Sequence, residues 1–342
     1  MKFFLKLYDL YLSFTGTVKT ETLFFLVMRK GGYLAFMLFL ISLISFGAIH
    51  AAPNSFFSAG ELNPNMTAEV LEHLKAVYGL DKPLHIQYLD WMINLLSLDF
   101  GVSFVSGQNV IDMVNDRIGI TLIMNIVSMF FVFIIAIYLG IIAAMRSGGI
   151  SDMLIKQLSL FSFSMPSFYL ALLMILGLSV NLEWFPISGL HSIEPKEGLA
   201  YYTDMAWHLF LPIFVMVFVS LGSMIVYVRS LVTEILKSDY YFFAKARGLS
   251  DKKLLRFYVL PNLMPPIITL LGLSLPGLIG GSVILESIFG IEGMGQLFYM
   301  SALSRDYPVI MGILMVTAFL TLLGNMLSDL ILLKLNPYFK RG

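Results

Sequence analysis

What most constrains this chain is the recurrence of apolar runs long enough to cross a lipid bilayer. About 20 consecutive apolar residues in a helix span the hydrocarbon layer. Six stretches of the 342-residue sequence meet that measure, at roughly 31–50, 120–145, 158–182, 208–228, 267–289 and 308–333. The second is the cleanest, with Thr121, Asn125 and Ser128 as its clearly polar side chains between Ile120 and Ala144. Each run must be helical, because lipid offers an open backbone no hydrogen-bond partner. Charged residues make up 13% of the chain, about half the share that a soluble domain carries. The expected fold class is therefore all-α, a polytopic membrane protein with six transmembrane helices. An ordinary cytosolic enzyme and a disordered chain are excluded.

The first run has a competing reading. Arg29 and Lys30 precede an apolar stretch that ends at Ala48-Ile-His-Ala51, which looks like a small-residue cleavage site. A cleaved signal peptide begins within the first few residues, so the membrane-span reading is preferred. Before it, Phe3 to Val27 mixes aromatics with Lys6, Asp9, Lys19 and Glu21 and reads as an amphipathic helix on the cytoplasmic face.

Basic residues set the orientation. With the N-terminus inside, 17 of the 22 Lys and Arg residues fall in cytoplasmic segments, and Lys75, Lys82, Arg117, Lys196 and Arg305 fall outside. Both termini are expected to be cytoplasmic. The organisation is then an interfacial extension over 1–30, a first transmembrane helix over 31–50 and an extracytoplasmic loop over 51–118. A core of five transmembrane helices follows over 119–335, with an internal loop at 229–266, and a cytoplasmic tail over 336–342 closes the chain. The external loop should hold two amphipathic helices, Thr67–Val77 and Ile86–Leu98.

Several chemistries drop out. Net charge is zero, so bulk charge points to no nucleic-acid partner. The absence of cysteine excludes disulfides, thiol nucleophiles and thiolate metal sites. His50, His73, His85, His191 and His208 show no metal-ligand spacing, and the 21 methionines spread through the spans as core filling. There is no HExxH, GxSxG or Walker-type phosphate loop. If ATP is used, another chain must bind it.

The internal loop is the most informative segment. Ala244 and Ala246 keep a first helix thin, Gly248 can adopt positive φ and end it, and Ser250 can cap a second helix. Lys253 and Arg256 would lie on that helix's polar face and Pro261 would close it. A short helix pair parallel to the membrane, with small residues at its turn, suits a knob that fits a partner's groove.

This pattern resembles the EAA loop of ABC-importer permeases, E-A-A-x3-G-x9-I-x-L-P. Gly248 and Leu260-Pro261 match at the required spacing and Ala244 matches the second alanine. Phe242, Phe243 and Tyr258 stand at the acidic, first-alanine and isoleucine positions. Closer is the form found in the peptide and nickel branch, Y-x-R-T-A-R-A-K-G-L-S, which Tyr240-Tyr-Phe-Phe-Ala-Lys-Ala-Arg-Gly-Leu-Ser250 resembles. Other stretches are similar to that branch in order and spacing. They are Gly79-Leu-Asp-Lys-Pro-Leu84, Leu98-Asp-Phe-Gly-Val-Ser103, Ser164-Met-Pro-Ser-Phe168, Trp184-Phe-Pro-Ile-Ser-Gly189, Gly280-Gly-Ser-Val-Ile-Leu-Glu-Ser-Ile-Phe-Gly290 and Gly293-Met-Gly-Gln296. The branch's Pro-Gly-Asp-Pro after the first span is replaced by Ala51-Ala-Pro-Asn54.

The resemblance implies a type I ABC-importer permease fold in a bacterial inner membrane. It implies one half of a translocation pathway, paired with a second homologous permease. Two cytoplasmic ATPase subunits would carry ATP and magnesium, an extracytoplasmic binding protein would deliver oligopeptides or dipeptides, and this chain would bind no cofactor. A nickel or metal-chelate importer is the nearest rival, and a stand-alone channel or membrane enzyme is the rival of another class. Coupling to the ATPase is expected from Tyr241, Ala244, Lys245, Ala246, Arg247, Gly248, Leu249, Ser250, Leu260 and Pro261. Lys252, Lys253 and Arg256 could meet acidic ATPase surface, lipid head groups or neither.

Pathway or gate candidates are Gly277, Gly280, Gly281, Ser282, Glu286 and Pro166, with Gly272 and Pro276 softening the fifth span. For Glu286 the alternative is pairing at the interface, and for Pro166 a structural kink. Asp329 reads best as a local anchor. Arg305, Asp306 and Tyr307 are candidates for docking the binding protein, and an ordinary folded loop explains them as well.

Overall fold

The computed structural model describes residues 23–51, 81–194, 196–274 and 283–335, with side chains over 28–51, 81–194, 196–274 and 283–326. The interfacial extension before residue 23, the helix Thr67–Val77, Pro276, Gly277, Gly280, Gly281, Ser282, the Asp329 side chain and the tail over 336–342 lie outside the described residues. Among the described residues every regular element is helical, and the one extended pairing is an isolated bridge of Val102 with Asn109.

In chain order the helices begin with α1 (Leu23–Ala51), α2 (Leu84–Leu96), α3 (Val110–Met145) and α4 (Ile150–Ser164). Next comes α5 (Ser167–Met174), prolonged by wide π-type turns over Ile175–Asn181, then α6 (Leu199–Leu236) and α7 (Asp239–Ala246). The short α8 (Asp251–Leu254) passes through π-type turns over Leu255–Val259 into α9 (Leu260–Ser274). The chain continues with α10 (Val283–Ile288), α11 (Met294–Ser304) and α12 (Tyr307–Leu335). Five helical stretches are long and apolar enough to cross a membrane, and α4 with α5 makes a sixth when the bent pair is taken as one span.

Three departures from expectation have physical causes. First, α3 and α6 run to 36 and 38 residues, about 54 and 57 Å at the helical rise. Their ends project beyond a hydrocarbon layer of about 30 Å. Asp112, Asp116 and Arg117 on α3 and Glu234 on α6 sit on such overhangs, where apolarity alone gives no signal.

Second, the run at 158–182 is not one kinked helix. Its halves meet at 99°. Pro166 drives the residue before it out of helical space, and Met165 is extended at φ −83°, ψ 118°. The helix therefore stops at Ser164 and restarts at Ser167.

Third, Pro261 does not close the second internal helix, which runs unbroken from Asp251 to Ser274 as the start of the fifth span. A proline inside a helix collides with the carbonyl four residues back. The wide turns over Leu255–Val259 surround that carbonyl, on Phe257, and make room.

Helices α3 and α6 form the central pair, and α4 packs along α6. Ser162 of α4 enters the α6 backbone ladder, donating to the Phe218 carbonyl and accepting from the Gly222 N–H at 2.9 Å. Three apolar cores result. One joins α3, α6, α7 and α9 around Ala136, Val228, Val232, Leu254 and Leu263. A second joins α3, α5, α6 and α10 around Met124, Ala171, Val215 and Leu285. A third joins α3, α11 and α12 around Val110, Met294 and Val309.

Candidate coupling surface and buried carboxylates

Helix α6 ends at Leu236, and Ser238 starts α7 two residues later, its hydroxyl donating to the Ile235 carbonyl at 2.6 Å. Asp239 in the first turn and Lys245 in the last place charge where the helix dipole favours it. Eight residues give α7 two turns and two distinct faces. Tyr241 and Ala244 are buried in the same core as α3, α6 and α9. Burial, with the Asp251 carboxylate adding to it, pushes the Tyr241 phenol above its usual range. Lys245, Ala246 and Arg247 face out, as do Phe242 and Phe243, which remain 66% and 62% exposed.

Gly248 reverses the chain at φ +79°, its N–H bonded to the Lys245 carbonyl at 2.9 Å. A Cβ there would meet nothing within 4 Å, so the conformation and not crowding calls for glycine. Ser250 occupies the N-cap position of α8. Its carbonyl accepts from the Leu254 N–H at 2.9 Å, but its side chain makes no cap bond. Leu249 and Leu260 are half-buried and Pro261 is exposed. Lys252, Lys253 and Arg256 are exposed, and the Arg256 guanidinium lies 5.6 Å from the Phe257 ring centroid.

The residues expected to couple therefore divide. Tyr241 and Ala244 weld the elbow to the chain's own core and offer little to a partner. Lys245, Ala246, Arg247, Gly248 and Ser250 form the free side. Phe242 and Phe243, rings edge to face at 5.9 Å, are the largest apolar groups on that side. In the sequence they stand as departures from the motif. Two adjacent phenylalanines in a basic, water-facing loop were the available signal.

Close to the root of the elbow lies an ion pair that local sequence does not announce. Asp152, in the first turn of α4, has a buried side chain and takes both ends of the Arg229 guanidinium from α6, Nε at 2.7 Å and Nη2 at 3.0 Å. The Gly148 N–H at 3.0 Å and Lys156 Nζ at 2.9 Å complete its partners.

Candidates from the opposite end of the fold are tied up internally. Glu286 is fully buried. It accepts from Thr121 Oγ1 and the Gln296 N–H, both at 3.0 Å, while Thr121 Oγ1 accepts from the Met294 N–H at 2.9 Å. A Cβ on Gly293 would strike both the Glu286 carboxylate and Thr121 Oγ1, so glycine gives the carboxylate its seat. In this conformation the Glu286 oxygens are bonded to α3 and α11.

Asp306 is likewise buried, accepting from Ser103 Oγ at 2.5 Å and the Phe104 N–H at 3.0 Å. It ties the loop before α3 to the α11–α12 turn. Arg305, left-handed at φ +56°, and Tyr307 flank it half-buried. Asp204 on α6 holds the preceding loop through Lys196 at 2.5 Å and the Ser192 N–H and hydroxyl at 2.8 and 2.6 Å. His191 and His208 approach it at 3.7 and 3.8 Å. Among the described residues no group of three or more His, Cys, Asp or Glu could hold a metal ion.

Two family models cover most of the chain. Residues 136–341 match the binding-protein-dependent transport system inner membrane component, and residues 22–125 match the N-terminal part of such membrane components. The oligopeptide transport system permease protein AppB of Bacillus subtilis is 34% identical over 298 residues, 87% of this chain and 93% of that protein. The dipeptide transport system permease protein DppB of Lactococcus lactis is 32% identical over 312 residues, covering 91% and 97%. The metal-staphylopine import system permease protein CntB of Staphylococcus aureus is 30% identical over 308 residues, covering 90% and 93%.

Proposed function

The chain belongs to the binding-protein-dependent transport system inner membrane components, and from that premise we propose that it is the permease subunit of an ATP-driven importer of oligopeptides or dipeptides. It forms half of the pathway beside a second permease. An extracytoplasmic protein delivers the peptide, and two cytoplasmic ATPase subunits, which hold ATP and magnesium, supply the work. Both termini lie in the cytoplasm. The observation that carries this reading is the elbow, with Gly248 at its turn, Tyr241 and Ala244 sunk in the core, and Phe242, Phe243, Lys245 and Arg247 facing out.

Such an elbow transmits force because it cannot slide. Tyr241, Ala244, Leu254 and Val259 share one apolar core with α3 and α6, so a partner that displaces α7 displaces those helices as a body. ATP closes the ATPase dimer, the elbow follows, and the permease pair exchanges inward and outward openings. Peptides are favoured over metal chelates as cargo by the oligopeptide and dipeptide permeases among the relatives. The metal-staphylopine relative keeps the chelate reading as the second choice.

The test is uptake of radiolabelled di- and oligopeptides, and of a nickel chelate, by vesicles containing the assembled transporter. Peptide uptake that requires ATP and is lost in Gly248→Trp, with ATP hydrolysis retained, is expected. Chelate uptake alone moves the reading to the metal branch. Unaltered uptake by Gly248→Trp removes the coupling role.

A further inference from the structure

Among the described residues, helix α2 meets α1 along one side. Tyr88 Oη and Ser42 Oγ of α1 are 2.8 Å apart. The Phe46 ring lies edge-on to Tyr88 at 5.3 Å and 6.4 Å from Trp91, and His50 stacks on Phe46 at 4.0 Å. These contacts fix the height of α2. Ser42 and Phe46 stand about 13 and 8 Å below the Ala51 end of α1 at the helical rise. The span Met28–Ala51 has 24 residues, about 36 Å against a hydrocarbon layer of about 30 Å. With the span centred, the α1 residues that α2 touches stand about 5–10 Å inside the hydrocarbon edge, the depth to which an interfacial helix buries its apolar face.

The other sides of α2 are sorted by polarity. No residue of the helix is buried. Leu89, Ile93 and Leu96, at i, i+4 and i+7, form an apolar stripe that is 55%, 61% and 79% exposed. Asp90, Asn94 and Ser97 form a polar strip beside it, where Asp90 pairs with Lys82 at 2.7 Å. In water the stripe would leave large apolar surface uncovered. At a bilayer boundary the same division is what an interfacial helix needs. Leu43 and Ile44 of α1 are exposed at the same height.

We propose that α2 is an interfacial helix lying along the bilayer boundary at the Ala51 end of α1, with Leu89, Ile93 and Leu96 among lipid acyl chains and Asp90, Asn94 and Ser97 toward water. It braces α1, whose own packing within the chain is chiefly against α12.

The sequence contains no cysteine, so a single introduced one carries a spin label without ambiguity. The full chain, assembled with cysteine-free partner subunits in vesicles of phosphatidylethanolamine and phosphatidylglycerol, is labelled in turn at Leu89→Cys, Ile93→Cys, Leu96→Cys, Asp90→Cys, Asn94→Cys and Ser97→Cys. Collisions with oxygen, which partitions into lipid, are compared with collisions with a water-soluble nickel chelate. The ratio should be several-fold higher at 89, 93 and 96 than at 90, 94 and 97. Nickel dominance at all six positions places the stripe in water and overturns the proposal. Weak collisions with both reagents at 89, 93 and 96 mean that protein, whether residues 52–80 or the second permease, covers the stripe, and also overturn it.

Discussion

Asp152 and Glu286 are both carboxylates sealed inside the fold, one near the root of the elbow and one at the α3–α10–α11 junction. They are held by different chemistry. Asp152 has cations, with Arg229 gripping it from two nitrogens and Lys156 adding a third contact. Glu286 has neutral donors, a threonine hydroxyl and a backbone N–H. The contrast extends to their surroundings. The elbow side turns exposed Phe242 and Phe243 outward, whereas Glu286 sits where Gly293 and Thr121 close around it. A clamp of opposite charges locks α4 to α6 strongly but depends on both partners. A neutral knot fixes the α11 backbone in register without placing a cation inside the membrane protein.

The contrast predicts unequal costs when each is cut. Asp152→Ala leaves the Arg229 guanidinium without its counter-charge, and breaking a buried pair costs about 3–5 kcal/mol. The lower end is expected, because Arg229 keeps 22% exposure, and thermal unfolding of the reconstituted chain reads it. A loss no greater than that of an exposed pair such as Lys82–Asp90 would show the clamp to be idle. Next in size is the outward face. Replacing both Phe242 and Phe243 with alanine should weaken ATPase binding by about 2 kcal/mol or more, roughly thirtyfold, if the rings act as interface anchors. Titration of the purified ATPase onto permease vesicles measures it, and the chain's own stability should not change.

Thr121→Val keeps shape while removing the hydroxyl that serves both Glu286 and the Met294 N–H. An unsatisfied buried group costs about 1–3 kcal/mol, and faster hydrogen exchange at the Met294 amide should accompany the loss. Protection at that amide unchanged from wild type would mean that the knot does not hold α11. The smallest effect belongs to Gly248→Ala. The left-handed turn strains a Cβ by about 1–2 kcal/mol but nothing crowds it, so uptake should fall only in part, by contrast with Gly248→Trp. Equal loss in both variants would place the sensitivity in the backbone and not in the space a partner occupies.

That the chain holds several membrane-length apolar helices was legible because lipid imposes a composition on about twenty residues at a time. The turn of the elbow was legible because Gly248, between Ala246 and Ser250, marks a helix break by local rules. What escaped depended on distant partners. Pro166 was visible as a kink, but nothing in the local sequence states the 99° between α4 and α5, both of which pack on α6. Pro261 was read as a stop because the wide turns that accommodate it have no sequence signature. Asp152 and Arg229 are 77 positions apart, and nothing near either names the other. For Glu286 a pathway role stands beside pairing at the interface, and for Asp306 a docking role beside an ordinary folded loop, and local sequence does not choose between them. A carboxylate's burial is decided by the donors folded around it, here Thr121, Ser103 and backbone N–H groups from elsewhere in the chain.

The central claim is that the elbow lies in the cytoplasm against a separate ATPase, and one measurement addresses it directly. Ala246 is exposed beside Gly248, and Ala246→Cys would be the chain's single thiol. In the assembled transporter, that thiol should react with a membrane-impermeant reagent from the cytoplasmic side alone and cross-link to the ATPase subunit, with ATP changing the yield. Labelling from the outer side, or an assembled complex in which residue 246 cross-links to no ATPase, would contradict the account.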